Sequence, residues 1–192
     1  MHPELDEFLE QLEEMIGYEG TVYPLADEGE PPLWLVVYEE VPDEGSIAAF
    51  TFGLSLINGE GDPDGQGHEL TLTVESENED WGFALGVLAR SLRGKCPFEP
   101  GNVIRFGEQI DKTSALTAFV CNPPTFLDED QAQLSWKGHG LHFVQLVPLY
   151  EAEIPLLEKL GLETFLDDES LDIYNITRAQ RQERASSSDS PP

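Results

Sequence analysis

The sequence predicts a single α+β domain, with a mixed or largely antiparallel sheet flanked by helices. Three observations lead there. Runs rich in β-branched and aromatic residues are interleaved with stretches of helical period, without strict strand–helix alternation. The 192 residues make about one domain, long enough to bury roughly 70% of the unfolded surface in one core. Hydrophobic residues make up 40% of the chain, with ten Phe and three Trp, which is a globular composition rather than a disordered one.

Each element follows from local pattern. Residues 3–16 place Leu5, Phe8, Leu9, Leu12, Met15 and Ile16 on one helical stripe with acids opposite, and Gly17 stands ready to end the helix. PLWLVVYEE (32–40) reads as a strand, VPDEG (41–45) as a turn, and SIAAFTFGLS (46–55) as the returning strand. INGEGDPDGQG (57–67) is a Gly-rich loop. It leads to HELTLTVE (68–75), where Leu70, Leu72 and Val74 alternate with Glu69, Thr71, Thr73 and Glu75 as in a half-buried strand. Asp80 is placed to cap a helix over WGFALGVLARSLRG, with Arg90 and Arg93 in its last turn and Gly94 as its stop. ALTAFVCN (115–122), QAQLSWKG (131–138) and LHFVQLVP (141–148) read as three further strands, the last ended by Pro148. Pro155 sits in the first turn of a helix running to Gly161, and a shorter helical segment is expected near 169–183. Trp34, Trp81 and Trp136 each fall in an apolar element and are expected in the core or at its edge. The domain is expected over 1–184, with a disordered tail at 185–192 that lacks any apolar anchor.

Charge narrows the choice of partners. The chain carries 38 acids against ten bases, for a net charge of −28. Residues 1–89 hold 22 acids and no base, because the first base is Arg90. Such a field repels nucleic acid and anionic lipid and attracts basic proteins at long range. General solubility or a salty cytoplasm accounts for the same acids equally well. There is no run of 18 apolar residues, so no membrane span is expected. MHPELDEFLEQ lacks the basic-then-apolar pattern of a signal peptide, so the expected location is the cytoplasm. Cys96 and Cys121 are too few and too far apart for a disulfide framework or a thiolate zinc site.

No motif specifies an enzyme. Gly53-Leu54-Ser55-Leu56-Ile57 misses the second glycine of the nucleophile elbow, and no helix follows it. Residues 60–65, EGDPDG, carry acids at the first, third and fifth positions of a calcium loop, but the twelfth position is Thr71 instead of Glu. His139 and His142 stand three apart in extended chain, which puts them on opposite faces, and no third ligand is in view. Glu151 and Glu153 fall in the first turn of a helix two positions apart. They do not face each other there and serve the helix dipole rather than acid–base chemistry. On this reading, replacing both with Gln costs on the order of 1 kcal/mol of stability. No cofactor and no metal are expected.

The segments PLWLVVYEE (32–40), TFGLS (51–55), HELTLTV (68–74), Trp81 with its helix, and HFVQLVPLYEAE (142–153) resemble the suppressor of fused family. They lie in the family's order over about 120 residues. The resemblance implies an α+β domain that binds protein and has no catalytic activity. Animal members bind zinc-finger transcription factors in hedgehog signalling, whereas bacterial members look like immunity proteins that neutralise a cognate toxin. This chain ends after one domain, so the resemblance implies the single-domain bacterial type. The expected partner is then a toxin of a polymorphic toxin system, such as a basic nuclease. The alternative is an intracellular scaffold or regulator without a toxin partner. Under the resemblance, Glu153 is the acid at the strand-to-helix junction that caps or holds the domain together. The partner is expected to meet an acidic surface supplied by residues before Arg90, with Glu39, Glu40, Asp43 and Glu44 around the 41–45 turn as its centre. A monomer or weak dimer is expected.

Overall fold

PLWLVVYEE is apolar along its whole length rather than at alternate positions, and the structure shows why: both faces of its sheet are covered. The computed structural model of the chain describes residues 3–57, 67–95, 97–128, 130–136 and 139–182, without the side chains of Ser135, Trp136 and His139. The calcium-loop positions 60–65, Cys96, the tail from 185 and the side chains of Trp136 and His139 therefore lie outside the described residues.

The strands in chain order are β1 (Thr21–Pro24), β2 (Trp34–Glu39), β3 (Ile47–Phe52), β4 (Gly67–Val74), β5 (Val103–Arg105), β6 (Ala118–Asn122), β7 (Gln133–Trp136) and β8 (His139–Leu149). They form one mixed sheet in the order β1-β2-β3-β4-β8-β6-β5, with β7 paired to the start of β8. The first four strands make an antiparallel meander. β8 joins it in parallel, residues 67–71 of β4 lying beside 141–145. On its other edge β8 pairs antiparallel with β6 through residues 145–149.

Side-chain parity along β8 sorts the core. Val144 and Leu146 join Leu35, Val37, Leu72 and Phe119 under α2 (Asp80–Leu92), which buries Trp81, Leu85, Leu88 and Ala89. Leu141 and Phe143 join Val36, Phe50 and Phe52 on the opposite face under α1 (Pro3–Ile16), which buries Leu5, Phe8, Leu9 and Leu12. Phe8 stacks on Phe52 with ring centroids 4.4 Å apart. Further along that face, Val147 and Leu149 pack with Ala118, Val120 and the short helices α3 (Ile154–Leu160) and α4 (Leu162–Leu166), through Ile154, Leu157 and Phe165. Each such large apolar side chain stabilises by about 1.5–3 kcal/mol on burial. Gly82 brings α2 close to the sheet. A Cβ there would lie 3.1 Å from Val37 Cγ2.

Four expectations are corrected. Pro148 does not end its strand, since β8 continues to Leu149. β4 pairs with β8 only as far as Gln145, so position 148 has a strand partner on one side and its missing N–H costs no ladder bond. No helix occupies 169–182. The N–H groups there are captured by Asp168 (Ser170), Asp172 (Tyr174, Asn175) and Asn175 (Thr177), local bonds that compete with helix formation. Asp80 makes no side-chain cap. Instead its own N–H donates to Asn78 Oδ1 at 3.1 Å. Two strands, β1 and β5, lie where none was expected. The irregular segment 167–182 crosses the end of the sheet, where the Glu75 N–H donates to the Tyr174 carbonyl and Ile176 is buried beneath it.

Candidate functional site

The turn between β2 and β3 presents the four acids named above. Glu39 is paired with Ile47 at the end of the ladder, and Glu40 adopts the left-handed conformation at φ 58°, its N–H donating to the Ser46 carbonyl. Val41 turns inward and is buried in the α1 cluster, which anchors the turn. Glu39, Glu40, Asp43 and Glu44 are all exposed, and none has an ion pair with another described residue. Beneath them lies Tyr38, whose hydroxyl is pushed well above the usual phenol range by burial, with the nearby Glu13 adding to the effect. Glu13 belongs to α1, so that helix's acids stand next to the turn. The turn therefore places exposed carboxylates at the end of the β2–β3 hairpin.

Two further carboxylates are wholly buried, and they are where acid–base chemistry had to be tested. Glu69 on β4 accepts four hydrogen bonds, all from the TFGLS stretch. Thr51 Oγ1 donates at 2.7 Å, Gly53 N–H at 2.8 Å, Ser55 N–H at 3.0 Å and Ser55 Oγ at 2.6 Å. Gly53 is required here. Its φ is 124°, and a Cβ would sit 2.4 Å from the Pro32 carbonyl oxygen. Burial raises the Glu69 carboxyl above the usual carboxylate range, and the four donors oppose that rise. Ser55 is thus a ligand of a buried carboxylate, not a nucleophile on an elbow.

Glu153 is the other. It lies at the end of a 3₁₀ turn, Glu151–Glu153, that leads into α3. Arg178 grips it bidentately at 2.6 and 2.7 Å, and the N–H groups of Tyr150 and Arg181 donate to it at 3.0 and 2.6 Å. The same guanidinium donates to the Pro148 carbonyl and lies over the Tyr150 ring, while the Tyr150 hydroxyl donates to the Arg178 carbonyl. The V-P-L-Y-x-x-E stretch is therefore a socket for one arginine. Glu151 points elsewhere and makes an exposed pair with Arg105 Nε at 2.8 Å. The two glutamates have different partners and are not paired with each other. The expectation of about 1 kcal/mol for replacing both counted only the helix dipole, whereas a fully buried ion pair and an exposed one differ severalfold.

Among the described residues no three His, Cys, Asp or Glu are placed to hold a metal. Burial pushes the Cys121 thiol up to about 12, which makes it inert. A cleft of about 830 Å³ between α4 and residues 122–125 is lined by Leu162, Leu166, Leu171 and Ile173, together with Thr125, Thr164, Glu163 and Asp167. No helix among the described residues is long and apolar enough to cross a membrane. Sequence reasoning named the TFGLS and V-P-L-Y-x-x-E stretches but missed what they hold. Glu69 was read as a solvent-facing strand position, and Arg178 as part of a helix. The available signal was an acid among the threonines of an alternating strand, one loop after a stretch rich in small donors.

Comparison with known proteins follows this geometry. The sequence model of the family described as Suppressor of fused protein (SUFU) matches residues 29–182. A structure of a suppressor of fused homolog from Neisseria gonorrhoeae FA 1090 aligns with a TM-score of 0.75 at 16% identity, covering 96% of this chain and 100% of that one. The structure of the Sufu–Fu complex aligns with a TM-score of 0.65 at 13% identity, covering 92% of this chain and 91% of that one. Drosophila Suppressor of Fused gives 0.60 at 15% identity over 93% of this chain and 51% of its own, so the chain spans about half its length. No curated protein matches the chain.

Proposed function

Because the chain belongs to the suppressor of fused family, we propose that it is a non-enzymatic, cytoplasmic protein-binding domain that neutralises a basic partner, as an immunity protein does a cognate toxin. The observation that supports this reading is the run of 22 acids without a base over residues 1–89, four of which are exposed on and beside the 41–45 turn. A basic nuclease fits that surface, since the acids can occupy the places of substrate phosphates. Their contribution is to association rate and selectivity more than to affinity. A relative solved as the Sufu–Fu complex favours a second reading, a regulator that binds an intracellular protein with no toxin partner.

The test is binding of the chain to the product of the reading frame beside its gene, with rescue of cells that express that product. Tight association and rescued growth are expected. Binding without toxicity supports the regulator, and no binding removes the toxin reading. With the genuine partner, Asp43→Lys combined with Glu44→Lys slows association about tenfold at low ionic strength, and the penalty shrinks as salt rises. An unchanged rate at low salt takes this turn out of the interface.

A further inference from the structure

The described residues expose three large apolar side chains, one just before β1 and two on the helix that packs against it. Tyr18, 66% exposed, stands three residues before β1. Phe83 and Val87, 36% and 57% exposed, lie one turn apart on α2, and Phe83 packs edge-on against Tyr23 of β1 at 4.9 Å. β1 is the end strand of the sheet and pairs only with β2.

Register shows which of its backbone groups are open. The Leu25 N–H donates to the Leu33 carbonyl, so by the alternation of an antiparallel ladder Tyr23–Leu35 and Thr21–Val37 are also hydrogen-bonded pairs. The N–H and C=O of Val22 and the C=O of Pro24 therefore face away from the sheet. No described residue bonds to them. The strand has no charged residue in Thr-Val-Tyr-Pro, so its shortness and Pro24 are its own protection against pairing.

The border is acidic. Glu19 and Glu28 are exposed, and Glu79 reaches the Tyr23 hydroxyl at 3.3 Å. The nearest bases are already engaged, Arg90 by Asp27 and Glu30, and Arg93 by the carbonyls of Pro31 and Pro32.

We infer that the open edge of β1 receives an extended segment of a protein partner as an added strand, one in which apolar side chains alternate with Lys or Arg. Backbone pairing at Val22 supplies register, Phe83 and Val87 take the apolar side chains, and the surrounding carboxylates take the basic ones. This rests on the protein-binding reading above and names a second, separate contact for it.

The probe is a synthetic heptapeptide alternating valine with lysine, titrated into the isotopically labelled full chain and followed by amide NMR. Its twin carries the same charge but is N-methylated at alternate residues, so it cannot pair. We expect shifts centred on Val22, Phe83 and Val87, with the twin at least tenfold weaker. Val87→Glu and Tyr18→Glu, both at exposed positions, weaken binding severalfold. Equal binding by the twin, shifts centred on the 39–44 turn, or no binding by either peptide overturns the added strand. None of these outcomes touches the protein-binding reading, which is decided by the adjacent-gene partner.

Discussion

Glu69 and Glu153 are both sealed from solvent, and the fold satisfies them in different ways. Glu69 meets only neutral donors, two hydroxyls and two amides, from a stretch of five residues. Glu153 meets a guanidinium brought from 25 residues further along the chain. A neutral nest satisfies lone pairs without repaying desolvation, so the Glu69 carboxyl is held above its ordinary range. An ion pair supplies both the hydrogen bonds and the opposite charge. One carboxylate shapes a single turn at the end of β3. The other fastens the end of the chain to the sheet.

The difference can be broken at its strongest point first. Arg178→Met leaves Glu153 buried beside two amides with no cation, and a loss of about 3–5 kcal/mol is expected in urea unfolding. Adding Glu153→Leu to that variant recovers much of the loss if the damage comes from uncompensated charge. A loss below about 1 kcal/mol for Arg178→Met would remove the fastening role.

Glu69→Gln comes next. The new amide group places a donor among donors, for a cost of about 1–3 kcal/mol. Its pH dependence sharpens the contrast. A carboxyl raised above its ordinary value of 4.5 contributes stability that is present below that value and lost as pH rises through the folded value. The cost of Glu69→Gln therefore shrinks as pH rises above the ordinary value of 4.5, as measured by unfolding wild type and variant in parallel. A cost that grows with pH would mean that the four donors outweigh burial at this carboxyl. Glu151→Gln is the smallest effect, within about 0.5 kcal/mol, because its pair with Arg105 is exposed on both sides. A larger loss there would show that exposure is a poor guide to these pairs.

Periodicity was a sound guide where elements are long and burial is one-sided or complete. α1, α2, β2, β3, β4 and β8 were all legible as expected elements, with Gly17, Gly94 and Gly161 as helix stops. TVYP and VIR were not, since three or four residues are too few to show a period and only their neighbours make them strands. The irregular crossing at 169–182 was misread because its acids and Asn resemble a polar helix face until their local turns are seen. The site was legible to the same degree. The exposed turn could be read from its flanking strands, whereas the partners of Glu69 and Glu153 lie at distances along the chain that no local pattern reaches.

The parallel contact between β4 and β8 has one more consequence, for the order of events in folding. The β1–β4 meander can form from neighbouring segments, but β8 must arrive across 74 residues of chain to lie beside β4. Loop-closure entropy places that meeting late. Until it happens, Glu75 has no Tyr174 and Glu153 has no ordered Arg178, so the last stretch to settle is also the one that locks what came before. The acid-only half therefore waits, self-repelling, for the half that carries every base. Added salt, by screening that repulsion, speeds their meeting.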